Sequence, residues 1–207
     1  MLQRARLIAR WASVVLFLLS AAAARPSAAD AADGPAEASR KSIAAAVRIL
    51  DDPAYQAADQ KRLQRERLFA ELAQWFDFTE FSKRVLADNW RSFTERERAE
   101  FVDAFARFLG MYYLGELQKR YTDERVRIDS QEIIGPARAR VTATLVWMDR
   151  AIPVEIRKLK SHGRWRAYDL SVFGISAVQI YRAQLTDILR TRSPAEVIAL
   201  VKSRIEE

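Results

Sequence analysis

The apolar positions along the chain change period twice. From about Ser39 to Tyr121 they recur every three to four residues, the spacing of one helical face. From Val126 to Val172 they recur at every second residue, the spacing of a strand with one buried face. Beyond Ser176 the helical period returns. This order predicts an α+β fold with a helical half, a meander of about four antiparallel strands and a helical tail.

The helical half opens with a short stripe at Ile43, Val47 and Leu50. Asp51-Asp52-Pro53 interrupts it, and a second stripe runs through Leu63, Leu68 and Leu72 to Trp75. Asp77 and Glu80 have capping-box spacing ahead of Phe81, Val85 and Leu86. Thr94 and Glu97 form a full capping box, and a long helix is expected from about Glu95 to Tyr121. Its apolar face carries Phe101, Phe105, Phe108, Leu109, Tyr112 and Leu117.

In the strand region Val141, Ala143, Leu145 and Trp147 share one parity, as do Ile152, Val154 and Ile156. Gly135-Pro136, Asp149-Arg150 and Ser161-His162-Gly163 are turn signals. Ser176 is an expected N-cap for a helix striped by Val178, Tyr181, Leu185 and Ile188. Ser193-Pro194-x-Glu196 opens the last helix. Gly110 and Gly115 sit inside the long helical pattern, where they signal either close packing or open space beside the helix.

The N-terminus follows another plan. Arg4, Arg6 and Arg10 precede an apolar run from Trp11 to Ala24, then an Ala-rich stretch with small-x-small cleavage sites. This is the three-part layout of a secretory signal peptide, expected to cover residues 1–29 and to place the mature chain in the periplasm. The alternative, an uncleaved membrane anchor, is hampered by length. As a helix, fourteen residues reach about 21 Å against a hydrocarbon core of roughly 30 Å. Residues 30–38, rich in Ala, Asp, Pro and Gly, read as a flexible mature N-terminus, and 39–207 as one domain.

Cleavage alters the charge. The 207-residue chain carries a formal net charge of +7. Removing residues 1–29, with four arginines and no acid, leaves 30 basic and 27 acidic side chains, a net of +3. Between Arg138 and Arg166 lie eight basic and two acidic residues. That excess fits a solvated sheet face, or a surface that meets anionic lipid or an acidic partner. An exported chain gives no reason to expect nucleic acid.

Candidate chemistry is sparse. With no cysteine and one histidine, His162 in an expected turn, thiolate and histidine metal sites and cysteine nucleophiles are ruled out or starved of ligands. No metal and no cofactor are expected, and no catalytic residue is assigned. Asp169 allows a general base in an apolar cone, as in a small-molecule isomerase or dehydratase. It equally allows a salt-bridge or turn-fixing role. The aromatic inventory of the long helix, set against Leu145, Trp147 and Ile156, fits a close-packed core or a cavity between helix and sheet.

At the level of longer strings, the chain resembles the MlaC, or toluene-tolerance, family. Phe76-Asp77-Phe78 followed by Val85-Leu86-x-x-x-Trp90-Arg91 is similar to that family's opening motif. Phe101, Phe105, Leu109, Tyr113, Leu117 and Tyr121, each four residues apart, resemble its long helix. Gly163-x-Trp165-x-x-x-Asp169-Leu170-x-Val172-x-Gly174-Ile175-Ser176 resembles its last strand and exit turn, and Tyr181-Arg182-x-Gln184 its next helix. Ala87, Ile180 and Leu185 depart from the family's usual Gly, Asn and Phe.

The resemblance implies a nuclear-transport-factor-2-like cone of curved antiparallel sheet and long helix, with additional N- and C-terminal helices. It implies a carrier that binds phospholipid acyl chains and shuttles lipid between an outer-membrane lipoprotein complex and an inner-membrane ABC transporter complex. A hopanoid-like polycyclic ligand is a variant. On this reading Phe105, Phe108 and Tyr112 form one pocket wall. Val141, Leu145, Trp147, Val154 and Ile156 form the other, and Ile175, Val178 and Tyr181 close the mouth.

Overall fold

The computed structural model describes residues 33–205 apart from Asp123 and Met148. The expected signal peptide and residues 30–32 lie outside the described residues. Helix α1 spans Pro35–Asp51, and two short 3-10 turns lead to α2, Lys61–Trp75. Helix α3, Phe78–Leu86, is followed by a 3-10 segment and then α4, Glu95–Arg120. The strands are β1 (Arg125–Ile133), β2 (Arg138–Trp147), β3 (Arg150–Ser161), β4 (Arg164–Val172) and the two-residue β5 (Ile175–Ser176). Helices α5, Ala177–Leu189, and α6, Pro194–Ser203, complete the chain. No helix among the described residues is long and apolar enough to cross a membrane.

The expected caps form. Asp77 accepts the Glu80 amide, and Ser176 accepts that of Gln179. Thr94 with Glu97, and Ser193 with Glu196, make reciprocal capping boxes. Each satisfies amides that the first helical turn would leave unpaired.

The first helix differs from expectation. It starts at Pro35, so Pro35–Ala38 are helical rather than a flexible stretch. Pro35 presets the first turn, and the small residues Ala36 and Ser39 let the helix press onto the sheet, where both are buried. Gln131 of β1 accepts the Ala36 amide through Oε1 at 2.9 Å. Composition misled here because alanine serves both loops and close packing.

Helix α2 also departs from its stripe. Leu63 is exposed, whereas Gln64 is buried. The Gln64 amide donates to the carbonyls of Ile49 and Leu50, satisfying the end of α1, and its oxygen accepts from Gln118 of α4. Gly110 of α4 answers the question its pattern raised. A Cβ there would lie 2.2 Å from the Phe69 ring, so the glycine lets α2 and α4 close on each other.

The sheet is an antiparallel meander in the order β1-β2-β3-β4-β5. Val141, Ala143 and Leu145 face Ile156, Val154 and Ile152 across the β2–β3 ladder, and all six are buried. Leu170 and Val172 of β4 continue the same face opposite Ile156 and Val154. The anticipated parity therefore holds, with Arg140, Thr142 and Thr144 on the outer side. In β4 the register passes from Arg157↔Asp169 to Lys158↔Ala167, leaving Tyr168 as the extra residue of a bulge. The Arg84 guanidinium covers the Tyr168 ring at 4.1 Å. The α2–α3 junction is tied to β4 where Asp77 N donates to Ala167 O and Arg166 donates to the carbonyls of Ala73 and Phe76.

Candidate functional site

The aromatic residues converge into one run. Phe76, just before α3, meets Phe78 and Phe81 of that helix, and Phe81 stacks on Phe105 of α4 at 5.7 Å. Phe105 stacks on Phe108 at 6.4 Å, and Phe108 on Tyr112 at 6.2 Å. Spacings of three and four residues put these rings on one helical face. Tyr181 of α5 stands edge-on to Phe105 at 5.3 Å and to Phe81 at 6.2 Å. Such edge contacts are a preferred geometry for aromatic pairs.

One polar contact sits inside this carbon surface. The hydroxyls of Tyr113 and Tyr181 meet at 2.5 Å, joining α4 to α5. Burial pushes the Tyr113 hydroxyl up to about 12, against a smaller opposing effect of its hydrogen bond to Tyr181. Burial raises Tyr181 well above the usual phenol range. Both are neutral across the physiological pH range and serve as hydrogen-bonding groups, not as bases.

The residues assigned from sequence divide by exposure. Val141, Leu145, Val154, Ile156 and Val178 are buried in the core, as is Phe105. Phe108, Trp147 and Tyr181 pack against that core and keep part of their surface accessible. Tyr112 and Ile175 are 41% and 43% exposed and stand at the rim. The two groups of strand residues come together across the β2–β3 ladder, with Val141 opposite Ile156. The three helix residues come together through their rings, and Tyr181 joins them. Trp147 lies opposite Arg150 at the end of the β2–β3 hairpin, and Ile175 opposite Val172.

Sequence reasoning missed three residues. Tyr113, not Tyr112, turns inward; it stands eight residues after Phe105 and four after Leu109, a spacing that could have marked it. Phe81 supplies the contact between α3 and both Phe105 and Tyr181. Lys158 has the same parity as Ile152, Val154 and Ile156, which places its ammonium beneath α1. It donates to Pro35 O at 3.1 Å and Ser39 Oγ at 2.9 Å, and burial pulls its pKa down to about 7.

Asp169 fixes a turn. Its Oδ2 accepts from Ser176 Oγ at 2.6 Å and its Oδ1 from Val178 N at 3.1 Å, with Arg157 at 3.8 Å. Burial raises its pKa, and these hydrogen bonds oppose the rise. The carboxylate thus holds the passage from β4 through β5 into α5 and sets where Tyr181 stands. His162 is exposed in the β3–β4 turn. No cluster of three metal-ligating side chains occurs among the described residues.

No curated protein matches the chain in sequence. A structural neighbour is a phospholipid-binding protein from Ralstonia solanacearum, solved in complex with a phospholipid. Its TM-score is 0.70 at 16% identity, over 82% of this chain and 95% of that one. That likeness shows the shared α+β fold of helices and a curved antiparallel sheet. The family model of the MlaC protein matches residues 40–203. The match runs from within α1 to the end of α6 and reaches every element among the described residues, and the chain belongs to the MlaC family.

Proposed function

We propose that this protein is a periplasmic phospholipid carrier. It takes acyl chains between the aromatic face of α4 and α5 and the inner face of the sheet, and it passes them between an outer-membrane lipoprotein complex and an inner-membrane ABC transporter complex. Membership of the MlaC family supports lipid binding. The observation that carries the reading is the aromatic run from Phe81 through Phe105 and Phe108 to Tyr112, which is buried at one end and exposed at the other. A graded apolar surface of this kind suits a chain whose tail goes in and whose head stays out. The basic, apolar and small-residue order of residues 1–29 supports export.

The energetics favour a shuttle over free exchange. Burial of a methylene is worth about 0.8 kcal/mol, so two acyl chains represent on the order of 20 kcal/mol against water. Release therefore needs a receiving apolar site or a partner that shifts the carrier towards an open state.

Native mass spectrometry of protein purified without detergent tests the reading. Bound masses that disappear on solvent extraction and reappear as phospholipid are expected. A lipid-free protein that also takes no labelled phospholipid from vesicles would refute it. Fractionation should find a form smaller than the 23.7 kDa full chain in the periplasm; an intact chain in the membrane fraction would refute the location.

A further inference from the structure

The β1–β2 and β3–β4 turns lie side by side at one end of the sheet. Ile134 N donates to Arg138 O across the first turn at 2.8 Å, and Lys160 N donates to Ala137 O at 2.8 Å, which ties the second turn to the first. Across the ladders Arg138 stands opposite Leu159, and Lys160 opposite Trp165. Both turns project into open space. Gly135 and Gly163 take φ of 86° and 77°, and a Cβ on either would meet nothing within 4 Å.

Two kinds of side chain meet here. The neighbours Ile133 and Ile134 are 54% and 45% exposed. Arg138, Lys160 and Arg164 are exposed, and none of them has an ion pair among the described residues. Neither residues 133–138 nor residues 159–165 contain a carboxylate, and Glu132, beside Ile133 in sequence, is held by Arg140 at 3.0 Å. The Lys160 ammonium lies 5.9 Å from the centre of the half-buried Trp165 ring. Of the other basic residues between Arg138 and Arg166, Arg140, Arg157 and Arg166 pair with carboxylates and Lys158 is buried. Most of the unpaired charge of that segment therefore collects at this end of the sheet.

Exposed apolar side chains beside unpaired cations mark a contact surface. Its shape selects the occupant. The isoleucines stand at a convex turn, which a folded partner could cover only with a matching cleft, whereas a layer of lipid headgroups yields to it. There the isoleucines reach the acyl boundary, the indole sits between water and hydrocarbon, and the cations meet phosphate. We infer that the β1–β2 and β3–β4 turns form a docking surface for an anionic phospholipid bilayer, with Ile133 and Ile134 inserted and Arg138, Lys160 and Arg164 on the headgroups. Strand β4 runs from this end to Val172, about 26 Å at the usual rise per residue. A carrier docked end-on therefore holds its β4–β5 turn and α5 away from the membrane, free to meet a partner.

Vesicle sedimentation of the form lacking residues 1–29 tests this; their apolar run would bind lipid by itself, and every described element lies beyond them. The probes are vesicles of phosphatidylcholine alone and vesicles of phosphatidylcholine and phosphatidylglycerol in equal parts. Each cation near an anionic surface multiplies binding about fivefold. The wild type is expected to bind the mixed vesicles at least about tenfold better than the neutral ones, and to lose that preference in about 0.5 M salt. Arg138→Gln/Lys160→Gln/Arg164→Gln should weaken binding to the mixed vesicles by at least about tenfold. Arg48→Gln/Arg67→Gln/Arg192→Gln removes the same charge from exposed positions elsewhere and should weaken it by less than about threefold. Ile133→Ser/Ile134→Ser should weaken it by at least about tenfold. No binding by the wild type, or equal losses in the two triple variants, would overturn the inference. So would full binding by the serine variant, which would mark a purely ionic surface of the kind an acidic protein uses. Lipid taken up into the protein is measured separately, so none of these outcomes bears on the carrier reading.

Discussion

Replacing Lys158 with methionine removes a cation from beneath α1 while keeping an unbranched side chain of similar length. In the folded protein burial holds this lysine at a pKa of about 7, against its ordinary value of 10.5. Between these values the unfolded chain binds the proton more tightly, so stability must rise as pH rises from 7 towards 10.5. Below about pH 7 both states are protonated and the slope vanishes. The full displacement corresponds to about 5 kcal/mol, and the part recovered between pH 7 and 9.5 to about 3 kcal/mol, both as orders of magnitude. The hydrogen bonds lost are cheap to lose, because Ser39 Oγ also donates to Pro35 O at 3.1 Å and remains satisfied without the lysine. Urea unfolding of both proteins at several pH values measures the effect. With a slope of about 2 kcal/mol per molar, the wild-type midpoint should climb by about 1.5 M over this range relative to the variant. Lys158→Met should be the more stable protein at pH 7. Parallel pH profiles would refute the assignment of a buried, suppressed ammonium.

Other perturbations have equally definite outcomes. Gly115→Ala should raise the melting temperature by about 2–4 °C, because a Cβ there meets Arg65 no closer than 3.4 Å and the helix gains about 1 kcal/mol. Gly110→Ala should lower it, since displacing the Phe69 ring costs about 1–3 kcal/mol and outweighs the same gain. Asp169→Ala should cost about 1–3 kcal/mol in denaturant unfolding by leaving Ser176 and the Val178 amide without their acceptor. Phe173, 55% exposed with φ of 50°, should be replaceable by Asn with a gain of about 1 kcal/mol in thermal unfolding, because Asn tolerates the left-handed region. Phe108→Asp should lower retained lipid at least tenfold by placing a charge in the acyl path; unchanged lipid per protein would remove Phe108 from the site.

Periodicity made the long helix, the strand parity and four caps legible because each is local. Thr94 and Glu97, or Ile152, Val154 and Ile156, act through neighbours a few residues away. What stayed hidden depended on partners distant in the chain. Pro35 is helical because β1 and β3 receive it, and nothing near Pro35 says so. Gln64 is buried in place of Leu63 because the end of α1 needs a donor. The site was half legible for the same reason. Phe105 and Phe108 were visible from their spacing, but choosing Tyr113 over Tyr112 required knowing where α5 stands. That position is set by Asp169, whose turn-fixing role was one of two readings open in the sequence.

The contacts that hold α1 impose an order on folding. Its partners Gln131 and Lys158 follow it by 95 and 123 residues. Whether the chain emerges from the ribosome or from an export channel, Pro35 appears well before Lys158 does. During that interval Ile43, Ala46 and Leu50 have no sheet to cover them. The strand hairpins close by short loops and can form as they emerge, whereas α1 must close the longest loop in the fold. The nascent chain is therefore held open by its own topology, and docking of its first helix is a late event.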